Sequence, residues 1–262
     1  MFLTYQADMG HLRKEALIRL ADVSRSTADR LVRRLGYRNY RELQQSVRND
    51  FSWGAPQVPE GAVAPNWSDV IEADRFNITE TFSTIDPAEI EALCERVASA
   101  PKVWVMGLRA SVGLAEIATH YLGQVRRGVH GISGDSATWS RDLALLDPGD
   151  VLLIFAFRRR PTVLPRLITE ARRLGATTVL ITDISAGASA RVADHALRCS
   201  GQSPSPLISF SAAITIVNVL TLGVAQRLGE ASRKHMDDVN KLVRSVEAVS
   251  SPYQRPRDGT AD

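Results

Sequence analysis

A chain of 262 residues with 44% apolar content is long enough to bury one large core and still carry a small second module. It holds no uninterrupted apolar run near the ~20 residues of a membrane span, and its first residues, MFLTYQADMGHLRKE, lack the basic, apolar, small-residue order of a signal peptide. A cytoplasmic protein with no membrane partner is therefore expected. The net charge of +3 is unevenly placed, because residues 1–50 carry 10 Lys/Arg against 6 Asp/Glu and the remainder 22 against 23. An excess confined to the first fifth suits a nucleic-acid-binding module joined to a near-neutral domain, and equally a solvated helix face. Cys94 and Cys199 stand far apart with no CxxC spacing, and His11, His120, His130, His195 and His235 show no ligand spacing, so no disulfide framework, metal site or cofactor is expected.

In chain order, residues 16–23 (ALIRLADV) read as a short helix with Leu17 and Leu20 facing inward. A tight connection at Ala21–Val23 leads into a second helix. There Ala28, Leu31, Val32 and Leu35 recur at spacings of three and four, Ser24 stands at the N-cap, and Gly36 stands where a C-terminal cap belongs. Two short helices joined by a brief turn make a helix-turn-helix unit, whose second helix enters the major groove. The side chains set to meet DNA are Ser24, Arg25, Ser26, Thr27 and Arg30, with Asp29 beside them and Arg33, Arg34, Arg38 and Arg41 neutralising the backbone. The competing reading is an arginine-rich helical hairpin made soluble by its surface.

The segment LADVSRSTADRLVRRLGYRNYRELQQSVR (residues 20–48) resembles the N-terminal domain of the RpiR family of bacterial transcription regulators. The resemblance is carried by Val23, Ser24, Thr27, Arg30, Leu35, Gly36, Tyr37, Tyr40, Glu42 and Leu43. It implies a DNA-binding domain over residues 1–50 with a double-stranded operator as partner. The family carries further helices before this segment, so the domain is read as shortened at its N-terminus. Residues 51–68, with three prolines and two glycines, read as a linker.

From residue 69 the pattern becomes helices alternating with short apolar runs. Helices are expected over 69–85, 86–100, 111–125, 136–146, 161–175 and 208–229, and strands over 102–107, 128–132, 150–157, 177–183 and 195–199. Asp86 is the expected N-cap ahead of Pro87. Continuous apolar strands between helices argue for a doubly wound α/β/α parallel sheet occupying 69–250, followed by a disordered tail at 251–262. The fold class is thus α/β with a small all-α domain in front. This larger domain resembles the SIS domain, a phosphosugar-binding module, over residues 85–230.

Ligands of such sheets sit at the carboxyl ends of the strands. The expected effector site there comprises Gly107, Arg109 and Ser111 of GLRAS, then Arg158, Arg159 and Thr162 of FAFRRRPT, and Asp183. The resemblance implies a hydroxyl-rich S-x-S-G-x-T loop at the second place, where this chain has Phe155, Phe157 and Arg158. Guanidinium forks at 158–160 favour a carboxylate or phosphate, unless the arginines line a subunit contact, and the resemblance implies that the anion belongs to a carbohydrate derivative, a sugar phosphate or a sugar acid. Asp183 either meets a ligand or caps the next turn. Ser209 and Ser211 are equally open. Glu116, His120 and Glu170 are scattered candidates for the base of a phosphosugar isomerase, and the absence of a catalytic constellation makes enzyme activity, or a stand-alone phosphosugar binder, the second reading. An operator read by a two-fold protein requires a homodimer or homotetramer. Helix 208–229 and the tail residues Met236, Val239, Leu242, Val243 and Val246 either supply that surface or pack on the core.

Overall fold

The computed structural model describes residues 14–15, 18, 23–43, 66–158, 160–205 and 207–250. The expected linker up to residue 65, the tail at 251–262 and Arg159 lie outside the described residues, as does most of the expected first helix. Of that helix, Ile18 is helical and its carbonyl accepts from Val23 N–H at 3.2 Å.

Helix α1 spans Arg25–Arg34. Ser24 Oγ accepts from Thr27 N–H at 3.1 Å and closes its first turn. At the other end Gly36 adopts φ +90, so that Gly36 N–H reaches the Arg33 carbonyl and Tyr37 N–H the Val32 carbonyl, a Schellman closure. Ala28, Val32, Tyr40 and Leu43 are buried. Leu35, expected in that stripe, is 51% exposed because the closing turn carries it away from the buried side.

Helices α2 (Trp67–Thr84) and α3 (Pro87–Ser99) lead into the sheet. A capping box between Asn66 and Asp69 starts α2 two residues earlier than its apolar pattern suggests. Asp86 caps α3 ahead of Pro87, as expected. Five strands follow: β1 (Val103–Gly107), β2 (Val129–Ile132), β3 (Val151–Phe155), β4 (Thr177–Asp183) and β5 (His195–Cys199). All pairings are parallel, in the order β2-β1-β3-β4-β5. The intervening helices are α4 (Val112–Val125), α5 (Trp139–Leu143), α6 (Leu164–Arg173) and the short α7 (Ala188–Val192), which the sequence pattern does not announce; α8 (Ser211–Leu228) and α9 (Glu230–Ser250) complete the chain.

Period-two alternation divides the core into two layers. Val103, Val105, Leu153 and Ile181 face α3, α4 and α8, whereas Trp104, Met106, Leu152, Ile154 and Leu180 face α5, α6 and α7. The apolar run carries the expected β3 through residues 156 and 157, but the strand ends at Phe155, beyond which Ala156 keeps one main-chain bond to β4 and both residues stay buried. Helix α8 is long and apolar enough to cross a membrane by composition. It packs instead on α2, α3 and α4 through Ala212, Ile216, Leu220 and Val224, as a core helix of the sheet domain. The first half of α9 lies against α4 and α8, with Met236 on the core, while Leu242, Val243 and Val246 are exposed.

Gly107 sets the approach of α4 to β1. A Cβ there would meet the Ser111 carbonyl oxygen, Val112 Cα at 2.6 Å and Ala115 Cβ at 2.8 Å, all backbone or short side chain that has nowhere to go. Gly107→Ala is expected to destabilise the sheet domain by about 2 kcal/mol, read as a lower urea midpoint at unchanged slope.

Candidate functional site

The strand order reverses between β1 and β3, since β2 lies on one side of β1 and β3 on the other. In doubly wound sheets the crevice outside the carboxyl ends at such a reversal is where ligands bind. Two loops meet there. The first, after β1, makes a 3-10 turn over Arg109–Ser111 before α4 begins. Arg109 holds φ +56, a left-handed conformation unusual for a residue with a side chain, and it is exposed. Ser111 is 2% exposed and makes no capping bond to α4. Its hydroxyl accepts from Phe157 N–H at 3.3 Å, which ties the first loop to the second.

The second loop, after β3, is filled from inside by Phe155 and Phe157, the latter edge-on to Phe210 with ring centroids 5.3 Å apart. Two of its main-chain donors are engaged, because Ala156 N–H donates to the Ile181 carbonyl and Phe157 N–H to Ser111. Leu108 N–H in turn donates to the Phe155 carbonyl. The start of this loop is thus a stitched, aromatic-packed turn, with polar side chains on the rim of the crevice. Arg109, Arg158 and Thr162 are exposed there.

Arg160 behaves differently from its neighbour Arg158. Its side chain is 13% exposed and lies 2.5 Å from Asp183, itself 6% exposed, while Nη2 donates to Ser185 Oγ at 2.8 Å. Asp183 also accepts from Ser185 N–H at 2.9 Å, so its carboxylate caps the turn after β4 and neutralises a buried guanidinium. Cys199, paired in register with Asp183, has its thiol pushed up to about 12 by burial and then by the Asp183 charge, which leaves it protonated and inert. Ser209 and Ser211 contact each other at 3.0 Å, and Ser209 donates to Asp74 of α2 at 2.5 Å.

Beside the first loop is an open cavity of about 520 Å³ between α4 and the end of β2. Gly107, Glu116, Thr119, His120, Ser133 and Gly134 are among its lining residues. The four-residue spacing of Glu116 and His120 brings both to this wall. Ser133 and Gly134 carry no signal in the sequence beyond marking a loop.

The seven residues expected to meet DNA, Ser24, Arg25, Ser26, Thr27, Arg30, Arg33 and Arg34, are all exposed on or beside α1. Ser24 is occupied by its cap, Arg25 lies 3.2 Å from Glu15, and Asp29 is paired with Lys14 at 2.5 Å. Arg33 and Arg34 sit in the last turn, where the helix dipole also favours them.

Residues 97–226 match the SIS domain family. This region is a SIS domain. Among solved structures, the sugar isomerase domain of an RpiR transcription factor from Sphaerobacter thermophilus is 26% identical with a TM-score of 0.62, covering 66% of this chain and 97% of that one. The Vibrio vulnificus NanR protein complexed with ManNAc-6P is 16% identical with a TM-score of 0.63, covering 91% of this chain and 88% of that one. An Escherichia coli CFT073 protein in complex with a sugar phosphate shares the fold at 15% identity and a TM-score of 0.52, covering 67% of this chain and 100% of that one. No curated protein matches the chain.

Within the SIS domain, removing one partner of the buried pair would strand the other charge. Arg160→Ala is expected to cost about 3 kcal/mol of stability, whereas Arg158→Ala changes it by less than about 0.5 kcal/mol. Guanidinium denaturation of the two variants measures both.

Proposed function

We propose that this protein is a cytoplasmic DNA-binding transcription regulator of the RpiR kind, whose SIS domain senses an anionic sugar-derived effector. The observation that carries the reading is α1. It is a short helix closed at both ends, held by Ala28 and Val32, and it turns Arg25, Ser26, Thr27, Arg30, Arg33 and Arg34 to solvent ahead of a SIS domain. The sugar isomerase domain of the Sphaerobacter RpiR factor supports it, as do the sugar-phosphate complexes of the Vibrio and Escherichia proteins of the same fold.

In this reading the effector's anionic group meets Arg109, Arg158, Arg159 and Thr162 over the stitched loops, with Gly107 and Ser111 fixing the first loop from behind. Asp183 acts through Arg160, as a positioning residue. Two copies present two α1 helices to a two-fold operator. The exposed apolar residues Leu222 of α8 and Leu242 and Val246 of α9 supply surface for that association. Effector binding shifts the balance between two arrangements of the pair, which requires that the ligand prefer one of them.

The second reading, a phosphosugar isomerase, rests on Glu116 and His120 lining one cavity beside the first loop. A base and its helper would have to meet a sugar carbon there.

Fluorescence anisotropy with DNA from the protein's own upstream region is the test. Specific binding is expected, weakened at least about tenfold in an Arg25→Ala/Arg30→Ala variant, with a salt slope lower by about two. One member of a panel of sugar phosphates and sugar acids, ManNAc-6P included, is expected to shift the affinity by about 5–150-fold. No specific binding in any condition overturns the regulator. Proton exchange at a sugar-phosphate carbon, followed by NMR in deuterated water and lost in Glu116→Gln, would establish the isomerase.

A further inference from the structure

At the amino edge of the sheet, opposite the strand-end loops, a second crevice of about 610 Å³ opens between α9 and the segments entering β1 and β2. That volume falls within the ~300–1,000 Å³ of small-molecule sites. One face of α9 forms a wall, because Ala231, Lys234, His235 and Asp238 follow the three- and four-residue spacing of a helical stripe. The opposite side is apolar, with Ala98, Val125 and Leu228.

The charges on this crevice do not balance. Arg126, Arg127 and Lys234 face a single carboxylate, Asp238. Arg126 is buried and donates to the main-chain carbonyls of Val97, Ala100 (2.7 Å) and Pro101 (3.3 Å), where it closes the end of α3. Arg127 lies 3.3 Å from Asp238 with its side chain 77% exposed. Lys234 makes no ion pair among the described residues. His235 Nε2 sits 2.9 Å from the Gly123 carbonyl in the last turn of α4, which holds this stretch of α9 against α4.

We propose that this crevice binds a small organic anion, a carboxylate head on a compact hydrocarbon body. Lys234 and Arg127 take the head, and the body covers Ala98, Val125 and Leu228. A bare inorganic anion would gain nothing from the apolar wall, and an uncharged hydrocarbon would leave the excess positive charge unanswered. The site is separate from the effector crevice and does not depend on the DNA-binding reading. The 14 residues of α4 run from one to the other, a span of about 21 Å at the helical rise.

Isothermal titration of the full chain with hexanoate at low salt tests it, with inorganic phosphate and hexanol as the head and the body alone. Saturable binding of one hexanoate per chain is expected, at least tenfold weaker in Lys234→Ala and lost in Ala231→Trp, which fills the crevice from an exposed helix position. Phosphate and hexanol are expected to bind at least tenfold more weakly than hexanoate. Circular dichroism melts identical to wild type establish that both variants fold, and Lys234→Ala alone carries the test if the tryptophan variant does not. No saturable hexanoate binding to the wild type, equal affinity for phosphate, or undiminished affinity in Lys234→Ala would overturn the site.

Discussion

The hydrogen bond from Phe157 N–H to Ser111 Oγ fastens the two loops at the place where the strand order reverses. Chain connectivity alone does not hold those loops together, since β1 and β3 are separated by a whole strand and two helices. The contact is possible because Gly107 lets α4 begin hard against β1, and because Phe155 and Phe157 fill the space beneath the second loop. Together with the bond from Leu108 N–H to the Phe155 carbonyl, that stitch sets the two loops side by side.

The departure from a hydroxyl-rich loop has a physical logic. Serines and a glycine would turn several main-chain donors outward toward a phosphate. Here Phe155 and Phe157 anchor the loop inward, the N–H groups of Ala156 and Phe157 are engaged, and Arg109 and Arg158 stand exposed on the rim. Guanidinium groups bind anions through a planar fork and tolerate a wider range of head groups than a fitted nest.

Much of the fold is legible in the sequence, for identifiable reasons. Strands β1, β3 and β4 are buried on both faces, so their apolar runs are continuous and easily seen, and Asp86–Pro87 marks the start of α3 by its chemistry alone. The five-residue α7 escapes a reading by pattern because it is too short to show periodicity. Helix α5 is shorter than its pattern, which runs on through the apolar turn 144–146 at its C-terminal end. The site is less legible. Gly107, Ser111 and Asp183 can be placed at strand ends, yet the sequence does not say that Ser111 faces the protein and that Asp183 belongs to Arg160. Those are long-range pairings, 46 and 23 residues apart, fixed by tertiary packing. Glu116 and His120 stand four apart on a helix, a spacing that carries no information about the cavity opposite.

Helix α5 has one further property. Trp139 is buried, and its indole N–H donates at 3.1 Å to the carbonyl of Ser133, a residue of the cavity wall beside the first loop. The wall is therefore wired to a fluorophore whose emission depends on that hydrogen bond and on the polarity around it. Trp104, the other buried indole among the described residues, donates to Asp150 at 3.0 Å. Trp139 thus stands one hydrogen bond from the cavity beside Gly107, and its emission is placed to respond to any movement of the Ser133 carbonyl without a label attached.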